Sequence, residues 1–375
     1  MPVGEPSAAP RVPQNDAEVV ERLPARRDDP VMAELRALRA AAAADPRDSD
    51  AAARLAQRLF ELANAEGDPR YVGYAEAALR AWSGNDAPVA VQFARGLLRQ
   101  YRHDFDTALG DFARVLEREP GHFGARAWRA ALYMVRADYP AAARECGALP
   151  VPKDDLYAVA CHAYVDATTG KTQAAYGRLR QALRDQPAID ADERLWVLTR
   201  LGEMAWRLGD APAADRHFRD ALGLGRDDNF LLAAYGDFLL DQGRAKDVVP
   251  LLKGWTRSDT LLLRLALAEK KLGLPDAAAH TQALADRFAA STLRGERLHM
   301  GEEARFLLDL KGEPAGALAV GLENWKSQRE PRDALVVLEA ARAARNAAAA
   351  APVLKWLQDS GFESERMKQA AAALR

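Results

Sequence analysis

The sequence predicts an all-α solenoid of about nine antiparallel helical hairpins. Three observations lead there. Alanine is over-used and β-branched runs are scarce, which favours helix over strand. Apolar and small residues recur at helical spacing, as at Leu198, Leu201, Gly202 and Ala205, which stack on one face. Short Gly-, Asp- and Pro-containing breaks interrupt these helices at repeated intervals.

The clearest unit covers residues 195–225. Its first helix ends at Gly209, which can take the left-handed conformation that closes a helix. Asp210 can cap the next helix, and Pro212 suits a first turn. The second helix presents Ala214, Phe218, Ala221 and Leu222 at the same spacing. Small residues at Gly202, Ala214 and Ala221 let the two helices approach, and Phe218 fills the space beside them. A single hairpin cannot bury its apolar face, so neighbours are required.

This unit resembles a tetratricopeptide repeat at Leu198, Leu201, Gly202, Ala205, Gly209, Asp210, Ala214, Phe218 and Ala221. It departs at Arg226, where the family closes with proline. The Ala/Arg-rich, irregular look of the whole chain is similar to that of bacterial tetratricopeptide proteins. The resemblance implies a right-handed superhelix whose first helices line a concave groove.

The other elements follow in order. Residues 1–30, with six prolines and few large apolar residues, read as a disordered tail, and residues 31–375 as a single solenoid. The tail also fits the mature N-terminus of an exported bacterial protein whose signal peptide has been removed, which points to the periplasm; otherwise the cytoplasm is expected. Helical pattern begins near Val31. Hairpins are expected near residues 49–82, 89–121, 123–149 and 156–186, then at 195–225, 229–255, 260–289, 298–329 and 333–360. The later ones match less well: Gly321 and Asn324 stand where the family has apolar residues. A terminal helix over residues 363–375 is expected to shield the last hairpin.

Charge and composition narrow the functional classes. A net charge of −2 over 375 residues supplies no general attraction to nucleic acid. No apolar run approaches the roughly 18 residues that span a bilayer. Thr169-Gly170-Lys171-Thr172 resembles the end of a phosphate-binding loop, but Val165 stands where its first glycine belongs and no strand precedes it. None of the six histidines pairs with another at i, i+4, and no Gly-x-Ser-x-Gly elbow is present. No cofactor or metal is expected, and the chain reads as non-catalytic.

Cys146 and Cys161 are the only cysteines, on helices expected to pack together. They read either as a disulfide, in an oxidising compartment, or as two buried thiols.

By the resemblance, the groove is lined by Phe93, Gln100, Tyr101, Met134, Tyr157, Tyr164, Trp196, Thr199, Glu203, Trp206, Arg207, Asp237 and Asp241. Two tryptophans beside an arginine have the composition of a binding hot spot, although Trp196 and Trp206 can equally pack on adjacent hairpins. The family's carboxylate clamp needs lysine and asparagine at the fifth and ninth positions. Here those are Phe93 and Leu97, Ala127 and Ala131, Ala160 and Tyr164, Thr199 and Glu203, so the clamp is absent. The expectation is a monomeric scaffold that binds a partner protein or extended peptide. The alternative is a small-molecule-binding or regulatory subunit of an enzyme complex using the same groove. An open, elongated groove favours the first and a deep, closed pocket the second.

Overall fold

The computed structural model describes residues 29–296 and 298–374, and every regular element among them is helical. The expected Pro-rich tail lies outside these residues, except for its last two. Asp29 accepts hydrogen bonds from the Val31 and Met32 N–H groups, and Pro30 opens α1 (Pro30–Ala44). An acceptor followed by Pro is the combination a helix start favours.

Nine hairpins follow among the described residues. The first four pair α2 (Ser49–Glu66) with α3 (Arg70–Ala78), α4 (Val89–Tyr101) with α5 (Phe105–Arg118), α6 (Phe123–Val135) with α7 (Tyr139–Gly147), and α8 (Leu156–Thr168) with α9 (Thr172–Asp185). Next come α10 (Ala191–Arg207) with α11 (Ala211–Leu222), α12 (Asn229–Asp241) with α13 (Ala245–Leu252), and α14 (Asp259–Leu272) with α15 (Ala277–Leu293). In the eighth, α16 (Met300–Arg305) runs into a π-helical segment, Phe306–Lys311, before α17 (Pro314–Asn324). The ninth joins α18 (Pro331–Ala343) to α19 (Ala351–Ser360), and α20 (Glu365–Ala372) ends the array.

The hairpin chemistry is visible in the central unit. Gly209 has φ +80°, and the Asp210 carboxylate accepts the Ala213 N–H at 3.0 Å. A Cβ on Gly202 would stand 2.8 Å from the Phe218 ring, so the absent side chain is what lets α10 and α11 close. α10 begins four residues before Leu195, because Asp190 supplies its cap to Asp192 N–H. The π-helical segment carries no sign in the apolar periodicity, which over six residues suits either helix type. Buried apolar clusters run hairpin to hairpin rather than gathering in one centre, as expected where each unit packs on its neighbours.

The array winds until its second turn rests on its first. Gly67, in the first hairpin's turn, lies so close to Ser258 that a Cβ there would be 2.7 Å from the Ser258 Cβ. The Arg329 N–H donates to the Val135 carbonyl at 2.7 Å. A Cβ on Gly170 would lie 3.1 Å from the Gly361 carbonyl oxygen, and the Thr172 N–H donates to Glu363 Oε2 at 2.8 Å, 191 residues away. Turns of the early hairpins thus seat against the segments that connect the late ones.

Candidate functional site: an inner cavity partly covered by α20

With turn laid on turn, the inner face is partly covered. Side chains from α8, α10, α12, α14, α16 and α18, the first helices of hairpins four to nine, surround a cavity of about 1310 Å³. Residues 362–370 and Ala373, in and around α20, line it as well.

Of the thirteen groove residues read from the sequence, Tyr164, Glu203, Trp206, Arg207, Asp237 and Asp241 converge here. The other seven do not line this cavity. Phe93 packs on Phe112 and His122, with ring centroids 5.8 and 4.7 Å away. Tyr101 meets Phe60 edge-on, and Gln100 is half-buried on α4. Met134 is buried in the cluster around Cys146 and Cys161. Tyr157 stacks on Trp196 at 4.8 Å. Thr199 turns back on its own helix, its hydroxyl donating to the Leu195 carbonyl.

The cavity wall is a lattice of ion pairs. Burial pushes the Asp237 carboxyl up, but Arg264, at 2.7 Å, and Arg305 outweigh it and hold it well below the usual carboxylate range. Arg200 pairs with Glu203 at 2.9 Å while its guanidinium lies between the Tyr164 and Phe230 rings, at 4.5 and 4.3 Å. Arg366 reaches from α20 to Asp241 at 3.1 Å and Glu339 at 2.9 Å. Asp241 is also held by the Trp206 indole N–H at 2.8 Å. Burial, reinforced by Glu330 and Glu302, pushes the Asp333 carboxyl up to about 8.

Arg207 differs from these arginines. Among the described residues it has no carboxylate at ion-pair distance. It reaches the Ala167 carbonyl only at 3.4 Å, and the Phe362 ring covers its guanidinium at 4.8 Å. Burial lowers its pKa despite Glu203.

Arg200, Arg264, Arg305, Arg332, Phe362 and Arg366 were not among the residues read from the sequence. Arg200 neighbours residues that were, but its first-helix position is not a groove position in the family. The others belong to units that match the repeat weakly, to the terminal helix or, for Phe362, to the link before it.

Cys146 on α7 and Cys161 on α8 form a disulfide, with Cα atoms 5.6 Å apart and away from the cavity. The segment 169–172 is the α8–α9 turn, with Lys171 on Asp166 and the Thr172 N–H taken by Glu363. Among the described residues no group of three or more His, Cys, Asp or Glu is placed to hold a metal ion. No helix among them is long and apolar enough to cross a membrane.

The hairpin geometry defines the class: an all-α helical-repeat solenoid. No protein-family model and no curated protein matches the chain. Among solved structures it is similar to the APC/C hetero-tetramer Cut9–Hcn1, with a TM-score of 0.49 and 12% identity over 88% of this chain. It spans 63% of that chain's length. It is also similar to yeast Tom70, with a TM-score of 0.42 and 12% identity over 92% of this chain and 84% of that one. For the P58(IPK) TPR domain the TM-score is 0.22, with 15% identity over 85% and 94%.

Proposed function

We propose that this protein is a non-catalytic binding scaffold and that its ligand site is the inner cavity. The observation that supports this most directly is the convergence of six first helices on one cavity walled by ion pairs and apolar side chains. The ligand is a peptide segment of a partner protein. A volume of about 1310 Å³ exceeds the ~300–1,000 Å³ usual for small-molecule pockets, and a folded domain is far larger. Trp206 and Arg207 are the residue types that concentrate binding energy, and both line the wall. The test is affinity capture from the source cell's lysate with wild type and a folded Trp206→Ala, Arg207→Glu variant, read by mass spectrometry. A partner lost only by the variant supports the reading. A partner retained equally by both moves the site elsewhere and overturns it.

One observation favours a second reading, a small-molecule-binding or regulatory subunit. Because residues 362–370 line the cavity, part of the inner face is covered rather than open along its length. On that reading no protein is captured, and a small-molecule extract raises the melting temperature of wild type but not of the variant.

A further inference from the structure

We infer that the part of the wall formed by Arg207, Asp241 and Glu339 is a docking site for a short peptide bearing an aromatic side chain and, four residues later, an arginine; the chain's own Phe362 and Arg366 fill it in cis. This rests on reading the cavity as the binding site and names the chemistry of its occupant.

The site is seen with that chemistry in place. Phe362 is 4% exposed, and its ring covers the Arg207 guanidinium, where Arg200, Arg264, Arg305 and Arg332 each meet a carboxylate. Arg366 joins Asp241 on α12 to Glu339 on α18, so one guanidinium ties two separate first helices together. The Trp206 indole holds the Asp241 carboxylate in position to accept it. Between the two anchors, Glu363 accepts the Thr172 N–H at the start of α9, whose N-cap residue Lys171 makes no side-chain cap.

The acceptors and the occupant differ in how firmly they are built. Arg207, Asp241 and Glu339 stand on long helices packed into the array. α20 has eight residues, too few to be stable as an isolated helix. The Arg366 side chain is 42% exposed, so salt screens its pairs. Within α20 only Met367 is buried, in the cluster around Trp325 and Trp356, and its other side chains are half-buried or exposed. The segment therefore belongs to the less stable part of the array that opens locally. Its tether gives it an effective concentration on the order of mM, which any partner with the same two side chains must overcome.

The test is a fluorescent peptide of residues 361–375, titrated by anisotropy into full-length wild type and full-length Phe362→Ala, Arg366→Ala protein. The freed variant should bind it at least about tenfold more tightly. Arg366→Glu in the peptide should abolish binding, and Asp241→Lys in the freed protein should restore binding of that altered peptide. Equal affinity for both proteins, or indifference to the peptide's Arg366, overturns the inference. Should the variant unfold, hydrogen exchange on wild type serves instead: excess peptide should deprotect residues 365–372, and unchanged protection overturns it. A partner lost by the Trp206→Ala, Arg207→Glu variant yet not displaced by the peptide leaves the cavity reading standing and overturns this one.

Discussion

The Trp356 indole N–H donates a 2.8 Å hydrogen bond to the Tyr139 hydroxyl across 217 residues of chain. Both side chains are at least nine-tenths buried, and the bond ties α19 in the second superhelical turn to α7 in the first. It is among the contacts that lay the second turn on the first. Trp356→Phe should cost about 1–3 kcal/mol, since it strands a buried hydroxyl. Tyr139→Phe should cost a similar amount, and the double variant less than the sum. Urea denaturation of the four proteins checks this; strict additivity would mean the two groups do not act as a pair.

Asp111 is fully buried on α5 and is the shared acceptor of Arg95, Arg99 and Arg114. Removing one side of a buried ionic cluster leaves the other charges uncompensated. Asp111→Ala should therefore destabilise by about 3–5 kcal/mol, again read from urea curves. A loss below about 1 kcal/mol, the scale of a surface pair, would show that the arginines find water instead.

Gly202 and Phe218 set the spacing of the central hairpin. Gly202→Ala should cost about 1–3 kcal/mol by overpacking, although alanine is the better helix former. Adding Phe218→Leu should recover part of that loss. A neutral or stabilising Gly202→Ala would mean that α10 and α11 can separate freely.

The Cys146–Cys161 bridge closes a segment of 15 residues. On the chain-entropy estimate, reduction should lower stability by about 3 kcal/mol. The measurement is urea unfolding with and without reductant, using Cys146→Ser, Cys161→Ser protein as the control. If the reductant shifts that control equally, the bridge is not the cause.

Asp333 predicts a pH signature. Its folded pKa, pushed up to about 8 by burial and by Glu330 and Glu302, lies above the ordinary 3.8. A carboxyl shifted in this direction favours folding while protonated, and its contribution is lost as pH rises from 3.8 to about 8. Asp333→Asn keeps an oxygen to accept the Glu330 N–H but cannot ionise. Its stability relative to wild type should rise across that window and level off above it. A gap that is the same at every pH would assign the buried charge elsewhere.

The hairpins were legible because their causes are local. Gly209 closes a helix, Asp210 opens the next, and Gly202 admits Phe218; each acts within one unit and repeats with its period. Six of the thirteen residues read as groove positions line the cavity, and most of the wall was not read from the sequence. Thr199 is not among the six, because a hydroxyl can satisfy itself on the preceding turn and need not face a groove. Phe362 and Arg366 were not legible, because nothing near them in sequence records what they touch.

Composition and periodicity thus carry the class of fold and the number of units, both consequences of spacing along the chain. How far the array winds belongs to the tertiary structure alone. Small rotations between successive hairpins accumulate over hundreds of residues, and only their sum brings Trp356 to Tyr139 and Glu363 to Thr172. That sum turns a groove into a partly covered cavity and lays residues 362–370 along its wall.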